Sequence, residues 1–222
     1  MVFWQKFWPI TEQLVEGFGY TVLIFAITLL CAMPLGLLIS FCTMSKFKPL
    51  RVLSRGFVWV IRGTPLMLQI IIFSVGPGLW LGIPIRRFVE KLLLVCLAFT
   101  INYACYFSEI YRAGIESIPK GQYEACQVLG IGKTKAFFQV ILMQVVKRIV
   151  PPMSNEIITL VKDTALASVV ISVDLFTIAK ELENHYVILG PLFYAGLFYL
   201  AFCGVLTLLF GFIEKKLDYY KI

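Results

Sequence analysis

Five stretches of this sequence are each long and apolar enough to match the thickness of a lipid bilayer. They run from about Gly17 to Thr43, Gly56 to Leu81, Lys91 to Tyr111, Pro152 to Val173 and Leu189 to Ile213. A hydrocarbon core roughly 30 Å thick needs about 20 apolar residues of helix to cross it. Inside lipid, backbone N–H and C=O groups have no water to bond, so each such segment must satisfy its own as a helix. The rest of the chain offers little else to build with. Of its 222 residues, 59% are hydrophobic and 15% charged, and mean hydropathy is +0.86. The expected fold is an all-α membrane protein of about five transmembrane helices, with Pro34 and Gly36 as kink points in the first. The expected domains are an interfacial segment over residues 1–16, a transmembrane domain over 17–215 and a tail over 216–222.

The amino-terminal segment carries Phe3, Trp4, Phe7 and Trp8 close together, residues that favour the water–lipid boundary. Glu12 and Glu16 precede the first apolar run and no small-x-small site follows it, which speaks against a cleavable signal peptide.

A net charge of +7 in a soluble protein would suggest nucleic acid, but here the distribution matters more than the sum. Thirteen of the 20 Lys and Arg residues fall on one side of the expected spans, in residues 46–55, 112–148 and 215–221. Five, namely Lys6, Arg86, Arg87, Lys91 and Lys180, fall on the other, leaving Arg62 and Lys162 inside apolar runs. Basic loops stay in the cytoplasm. The expected topology therefore has the amino terminus outside, the carboxyl terminus inside and "SIPKGQYEACQVLGIGKTK" in the cytoplasm, with lipid rather than nucleic acid as the surrounding partner.

The six cysteines form no Cys-x-x-Cys pair and lie mostly in apolar runs, as small packing residues do. His185 is the one histidine and has no ligand spacing around it. No metal site is expected.

Gly132-Lys133-Thr134 has the ending of a phosphate-binding loop. Such a loop also needs a glycine five residues before the second one, and a strand leading into it. Gln127 holds that glycine's position, and "GQYEACQVL" reads as a helix. The expectation is instead a helix ending at Gly130 and a second starting at Lys133, a hairpin suited to docking against another protein.

Glu124-Ala125-Cys126, then Gly130, then Val140-Ile141-Leu142-Met143, resembles the EAA signature of ABC-transporter permease subunits. Cys126 replaces its second alanine, Val140 its isoleucine and Met143 its proline, which leaves the shape of the following helix open. Arg62-Gly63-Thr64-Pro65, Gly121-Gln122, Pro151 and "NEIITLVKDTALASVVISVDL" resemble the polar amino-acid permeases of bacterial uptake systems. The resemblance covers nearly the whole chain. It implies the ABC importer permease (MetI-like) architecture with a cytoplasmic coupling helix at about residues 117–135. Gly121, Glu124, Ala125 and Gly130 would then shape the loop that docks on a separate ABC ATPase subunit. It further implies a second permease, identical or related, and an extracytoplasmic amino-acid-binding protein, all at a bacterial inner membrane. The chain itself would be no enzyme and would bind no cofactor; ATP–Mg would be used by the partner ATPase.

Arg62, Glu156, Lys162 and Asp163 sit inside or near expected spans. Placed centrally, four such charges would together cost on the order of 10 kcal/mol to insert. They must pair, line a wet cavity or lie nearer an interface. Glu156 and Asp163 are two helical turns apart and share a face with Thr159, and Ala167 continues that stripe with room for a ligand. Lys162 points away, toward another carboxylate or a second subunit. Gly63 and Pro65 weaken the helix beside Arg62, and broken helices are tolerated where they line a cavity. Arg62, Glu156, Thr159 and Asp163 are thus candidates for binding substrate, with Arg62 on an amino acid's carboxylate. The alternatives are a charge network that only fixes packing, and a proline kink with Arg62 reaching the headgroups. Glu109 and Arg112 have the spacing of an intrahelical ion pair, with a packing or gating role.

Two carboxylates on one face favour a cationic amino acid such as arginine, lysine or histidine. Glutamine is the alternative cargo, since Lys162 could occupy one carboxylate. A secondary transporter or channel driven by its own buried carboxylates is the alternative class.

Overall fold

The computed structural model describes residues 6–82, 85 and 87–218. Phe3 and Trp4 of the interfacial segment, Arg86 of the external basic set and Lys221 of the tail lie outside the described residues.

Helix α1 spans Phe7–Thr43, 37 residues, or roughly 55 Å at 1.5 Å per residue. It begins before the expected first span, because Ile10, Leu14 and Gly17 repeat at helical spacing and are buried. A Cβ at Gly17 would come within 2.8 Å of Ile178 Cδ1 and 3.1 Å of Leu175 Cα, so glycine sets how closely α1 approaches that segment. Pro34 lies inside α1, and the helix runs on through it.

Helices α2 (Lys48–Gly63) and α3 (Leu66–Leu81) correct the expected second span. The two meet at 104°, so residues 56–81 are not one straight crossing. Thr64, immediately before Pro65, is extended at φ −113°, ψ 145°, the conformation a following proline ring imposes.

Helix α4 (Phe88–Glu116) is followed by the short α5 (Lys120–Val128) and α6 (Lys133–Ala136). From α6 the chain continues through a π-helical turn, Phe137–Ile141, into α7 (Leu142–Asp163), then tightens to a 3-10 turn over Thr164–Val169. The expected fourth span began at Pro152; the helical run starts much earlier, at Lys133, and passes through both Pro151 and Pro152. Helix α8 (Leu175–Tyr186) was not expected, and α9 (Gly190–Leu217) is the last crossing. Among the described residues, four helical runs are long and apolar enough to cross a membrane, or five if the bent α2–α3 pair is one crossing.

Packing centres on α1 against α4. A Cβ at Gly36 would lie 2.9 Å from both the Ala104 carbonyl oxygen and Phe107 Cβ, so this contact too is made backbone to helix face. Phe99, Tyr103 and Phe107 of α4 are buried there with Ile24, Leu160 and Ile171. A second cluster joins Ile10 and Leu14 to Leu175, Ala179 and Leu182 of α8 and Ala195 of α9. Most of α9 remains uncovered; Phe193, Leu197, Leu200, Leu208 and Phe212 are exposed, as suits a helix surrounded by lipid.

Candidate functional site

The site is built where α2 breaks from α3. Pro65 has no N–H, so the carbonyl of Ile61, four residues earlier, loses its helical donor. Gln69, one turn into α3, supplies the replacement: its Nε2 donates to Ile61 O at 2.8 Å and also lies 2.8 Å from Thr64 Oγ1 and 3.2 Å from Thr64 O. Asn102 Nδ2 of α4 donates to Gln69 Oε1 at 3.0 Å. Both amides are almost fully buried, so the bend is fastened to α4 by a satisfied polar network.

Below this bend lies a cavity of about 500 Å³ lined by Arg62, Gly63, Thr64 and Pro65, by Asn102, Tyr103 and Tyr106 of α4, and by Glu156, Thr159 and Asp163 of α7. All four residues singled out in sequence as substrate-binding candidates, Arg62, Glu156, Thr159 and Asp163, border this one space. The volume is within the range of small-molecule sites. Asp163 Oδ2 accepts from the Tyr103 hydroxyl at 2.7 Å. The Arg62 guanidinium sits 4.9 Å from the centre of the Tyr106 ring, a cation–π arrangement. Arg62 Nη1 is 3.8 Å from Glu109 Oε2.

Glu109 and Arg112 form the ion pair their spacing suggests, at 2.6 and 3.1 Å, and Arg112 reaches on to Glu116 at 2.7 Å. Lys162 is exposed and does not border the cavity. Ala167 does not extend the ligand-facing stripe; it is fully buried in the core. The chain tightens to about three residues per turn after Asp163, so the α-helical periodicity that would have placed Ala167 below Asp163 no longer applies.

Sequence reasoning missed Gln69, Asn102, Tyr103 and Tyr106. Their only signal is polar atoms in otherwise apolar helices, "LMLQIII" and "INYACYF".

The loop residues lie elsewhere. Gly121, Glu124, Ala125 and Gly130 are all exposed on α5 and its exit, beside exposed Tyr123, Val128 and Leu129. Gly130 has φ +70°. The N–H of Gly130 bonds Gln127 O at 3.0 Å and that of Ile131 bonds Cys126 O at 2.9 Å, the paired bonds of a glycine-terminated helix end. Cys126, where the EAA pattern has alanine, points inward and is buried. Gly132 is extended and caps α6. The segment is helix–turn–helix, not the strand–loop–helix a phosphate loop requires.

Residues 32–219 match the protein family described as the binding-protein-dependent transport system inner membrane component. Among relatives, the L-cystine transport system permease protein TcyB of Bacillus subtilis (strain 168) is 38% identical, over 97% of this chain and 90% of its own length. The arginine transport system permease protein ArtQ of the same organism is 36% identical, over 94% of each chain. A putative glutamine transport system permease protein, GlnP of Rickettsia felis (strain ATCC VR-1525 / URRWXCal2), is 31% identical over 96% of each. A crystal structure of an amino acid ABC transporter with histidines superposes with a TM-score of 0.85 at 27% identity, covering 96% of this chain and 97% of the other. The fold also resembles that of the MetNI methionine ABC transporter in an inward-facing form, with a TM-score of 0.73 at 16% identity, covering 95% and 98%. The chain belongs to the binding-protein-dependent transport system inner membrane components, as a multi-pass permease subunit of an ABC importer in the inner membrane whose ATPase is a separate subunit.

Proposed function

We propose that this permease carries amino acids, with a cationic amino acid as the favoured cargo, and that the cavity at the α2–α3 break is where the cargo sits. The observation that carries this reading is the meeting of one guanidinium, Arg62, with two carboxylates, Glu156 and Asp163, around a single cavity. Every α-amino acid offers a carboxylate, which suits the forked donors of Arg62, and an ammonium, which suits a carboxylate. A second cationic group then finds the other acid. Among the described residues no side chain hydrogen-bonds or ion-pairs with the Glu156 carboxylate, and it borders the cavity, which leaves it open to cargo. An acidic cargo would bring its second carboxylate against Glu156 and Asp163.

Glutamine is the second reading. Tyr103 already donates to Asp163, leaving one uncommitted carboxylate and the amide and hydroxyl groups of Asn102, Tyr106 and Thr159 for an uncharged side chain. The relatives' names span both chemistries, from arginine to glutamine and cystine.

Movement would come from outside the chain. Two ATPase subunits, using ATP–Mg, would grip α5 through the surface around Glu124 and Ala125, and Gly121 leaves that surface low. A second permease, identical or related, would complete the path, and an extracytoplasmic binding protein would deliver cargo. This arrangement needs α5 in the cytoplasm and the amino terminus outside, as the asymmetry of basic residues suggests. A cysteine introduced at Gln122 should resist impermeant thiol reagents in intact cells; labelling from outside would reverse the topology.

Uptake of radiolabelled arginine, lysine, histidine, glutamine, cystine and glutamate by proteoliposomes holding the assembled importer tests the cargo. ATP-dependent uptake led by the cationic members supports the reading. Preference for glutamate, or uptake driven by an ion gradient without ATP, defeats it.

A further inference from the structure

A second cavity of about 450 Å³ adjoins the first, and the two share Arg62, Tyr106 and Glu156 as a common wall. Their remaining linings fall in order along two helices. On α4 the first takes Asn102 and Tyr103, and the second takes Glu109, Ala113 and Ser117. On α7 the first takes Thr159 and Asp163, and the second takes Pro152 and Arg148. The second cavity therefore extends from the bend toward the α5 hairpin, where Arg148 donates to the Ser117 carbonyl just before Pro119 caps α5.

The shared wall is held unevenly. Glu109 is bonded through both oxygens by Arg112. Arg62 is only 3.8 Å from one of those oxygens, too far for a hydrogen bond, and its remaining hold is the face of Tyr106. A guanidinium has five N–H donors, and among the described residues none of those on Arg62 makes a hydrogen bond. Arg62 thus sits between an internal carboxylate it touches loosely and the first cavity.

We propose that the second cavity is a release subsite for the cargo, and that Glu109 is the positioning residue that draws Arg62 off the cargo's carboxylate as it passes through. This rests on the reading that the first cavity holds the cargo. Glu109 and the cargo's carboxylate compete for one guanidinium, so Glu109 lowers affinity in the first cavity and hastens departure from it. Arg112 holds the Glu109 carboxylate in place through both oxygens, and Tyr106 keeps Arg62 within reach of both carboxylates. The cargo's carboxylate then meets Arg148 at the far end of the second cavity.

The test uses the assembled importer with whichever of L-arginine, L-glutamine and L-cystine the wild type takes up fastest. Glu109→Gln retains an acceptor for Arg112 but removes the competing charge. It should tighten equilibrium binding of that amino acid roughly threefold or more, while maximal ATP-driven uptake falls by a similar factor. A residue that only supported the fold would weaken both together. Unchanged or weaker binding in Glu109→Gln overturns the proposal. Should that variant not assemble, Glu109→Asp, which keeps the charge but withdraws it from Arg62, should tighten binding by a smaller factor; no tightening overturns the proposal equally. Arg62→Ala separates the two readings. If it leaves affinity unchanged, Arg62 does not hold cargo and the first-cavity reading fails. If it weakens binding while Glu109→Gln tightens nothing, only the release subsite fails.

Discussion

The side-chain amide of Gln69 donates to the carbonyl of Ile61 at 2.8 Å, taking the place of the N–H that Pro65 lacks. The two residues lie eight apart across a 104° bend. A break in a membrane helix frees backbone groups that cost several kcal/mol each if left in hydrocarbon. This amide answers one of them and ties the bend to Asn102 on α4.

Gln69→Leu should therefore destabilise the permease by about 2 kcal/mol, the cost of leaving buried partners unpaired. It should also impair transport, because Gly63 to Pro65 border the first cavity. Thermal unfolding of the detergent-solubilised importer, with uptake measured in parallel, checks both. A melting temperature equal to wild type would mean that the bend holds without the amide.

Glu156→Gln keeps size and hydrogen-bonding capacity but removes the charge that faces the cavity. Uptake of cationic amino acids is expected to fall roughly tenfold, equivalent to about 1.4 kcal/mol, with glutamine uptake much less affected. Competition assays on the same membranes read the ratio directly. Equal losses for both substrates would remove Glu156 from selectivity while leaving the permease assignment intact.

At Gly130, φ is +70° and a Cβ would meet nothing within 4 Å. Any effect of substitution there is thus a backbone effect. Gly130→Val forces a β-branched residue into a region it strongly avoids, so the turn after α5 should distort while the membrane helices stay packed. Reduced co-purification of the ATPase, or ATP hydrolysis without uptake, is the expected readout. Glu124→Ala should act the same way but more weakly. Normal coupling in both variants would move the ATPase contact elsewhere.

Asp174 caps α8, accepting from the N–H groups of Phe176 and Thr177 and the Thr177 hydroxyl. Asp174→Ala should cost about 1–2 kcal/mol, and Asp174→Asn less. Burial raises the carboxyl above its ordinary value, outweighing the hydrogen bonds that pull it down. A folded pKa above the unfolded one means the native state binds the proton more tightly. The group's contribution is then most favourable below the unfolded value of about 3.8 and declines as pH rises through the folded one. Wild type should gain stability relative to Asp174→Asn as pH falls across that window, in melting curves from pH 7 to pH 4. A difference constant with pH would show that the carboxyl titrates alike in both states.

Much of this protein is determined along the chain itself. The run of apolar residues in "GYTVLIFAITLLCAMPLGLLISF" commits α1 to the membrane whatever surrounds it, because lipid forces each segment to close its own hydrogen bonds. The turn at Gly130 is equally local, since helix exit at positive φ depends on one residue's freedom. Glu156, Thr159 and Asp163 share a face by helical periodicity alone, and all three border the cavity. Other features exist only once distant segments meet. Helix α8 is too short and polar to register as a span; its place comes from burying Leu175 and Ala179 against Ile10 and Leu14. At the 104° bend between α2 and α3, Gln69 holds the freed Ile61 carbonyl and is itself held by Asn102, which lies 33 residues away from Gln69. The Tyr103 hydroxyl on Asp163 bridges 60 residues. Local propensity reports where a helix can stop, but the direction in which it resumes, and which side chains then face one another, depend on packing between segments that share no sequence neighbourhood.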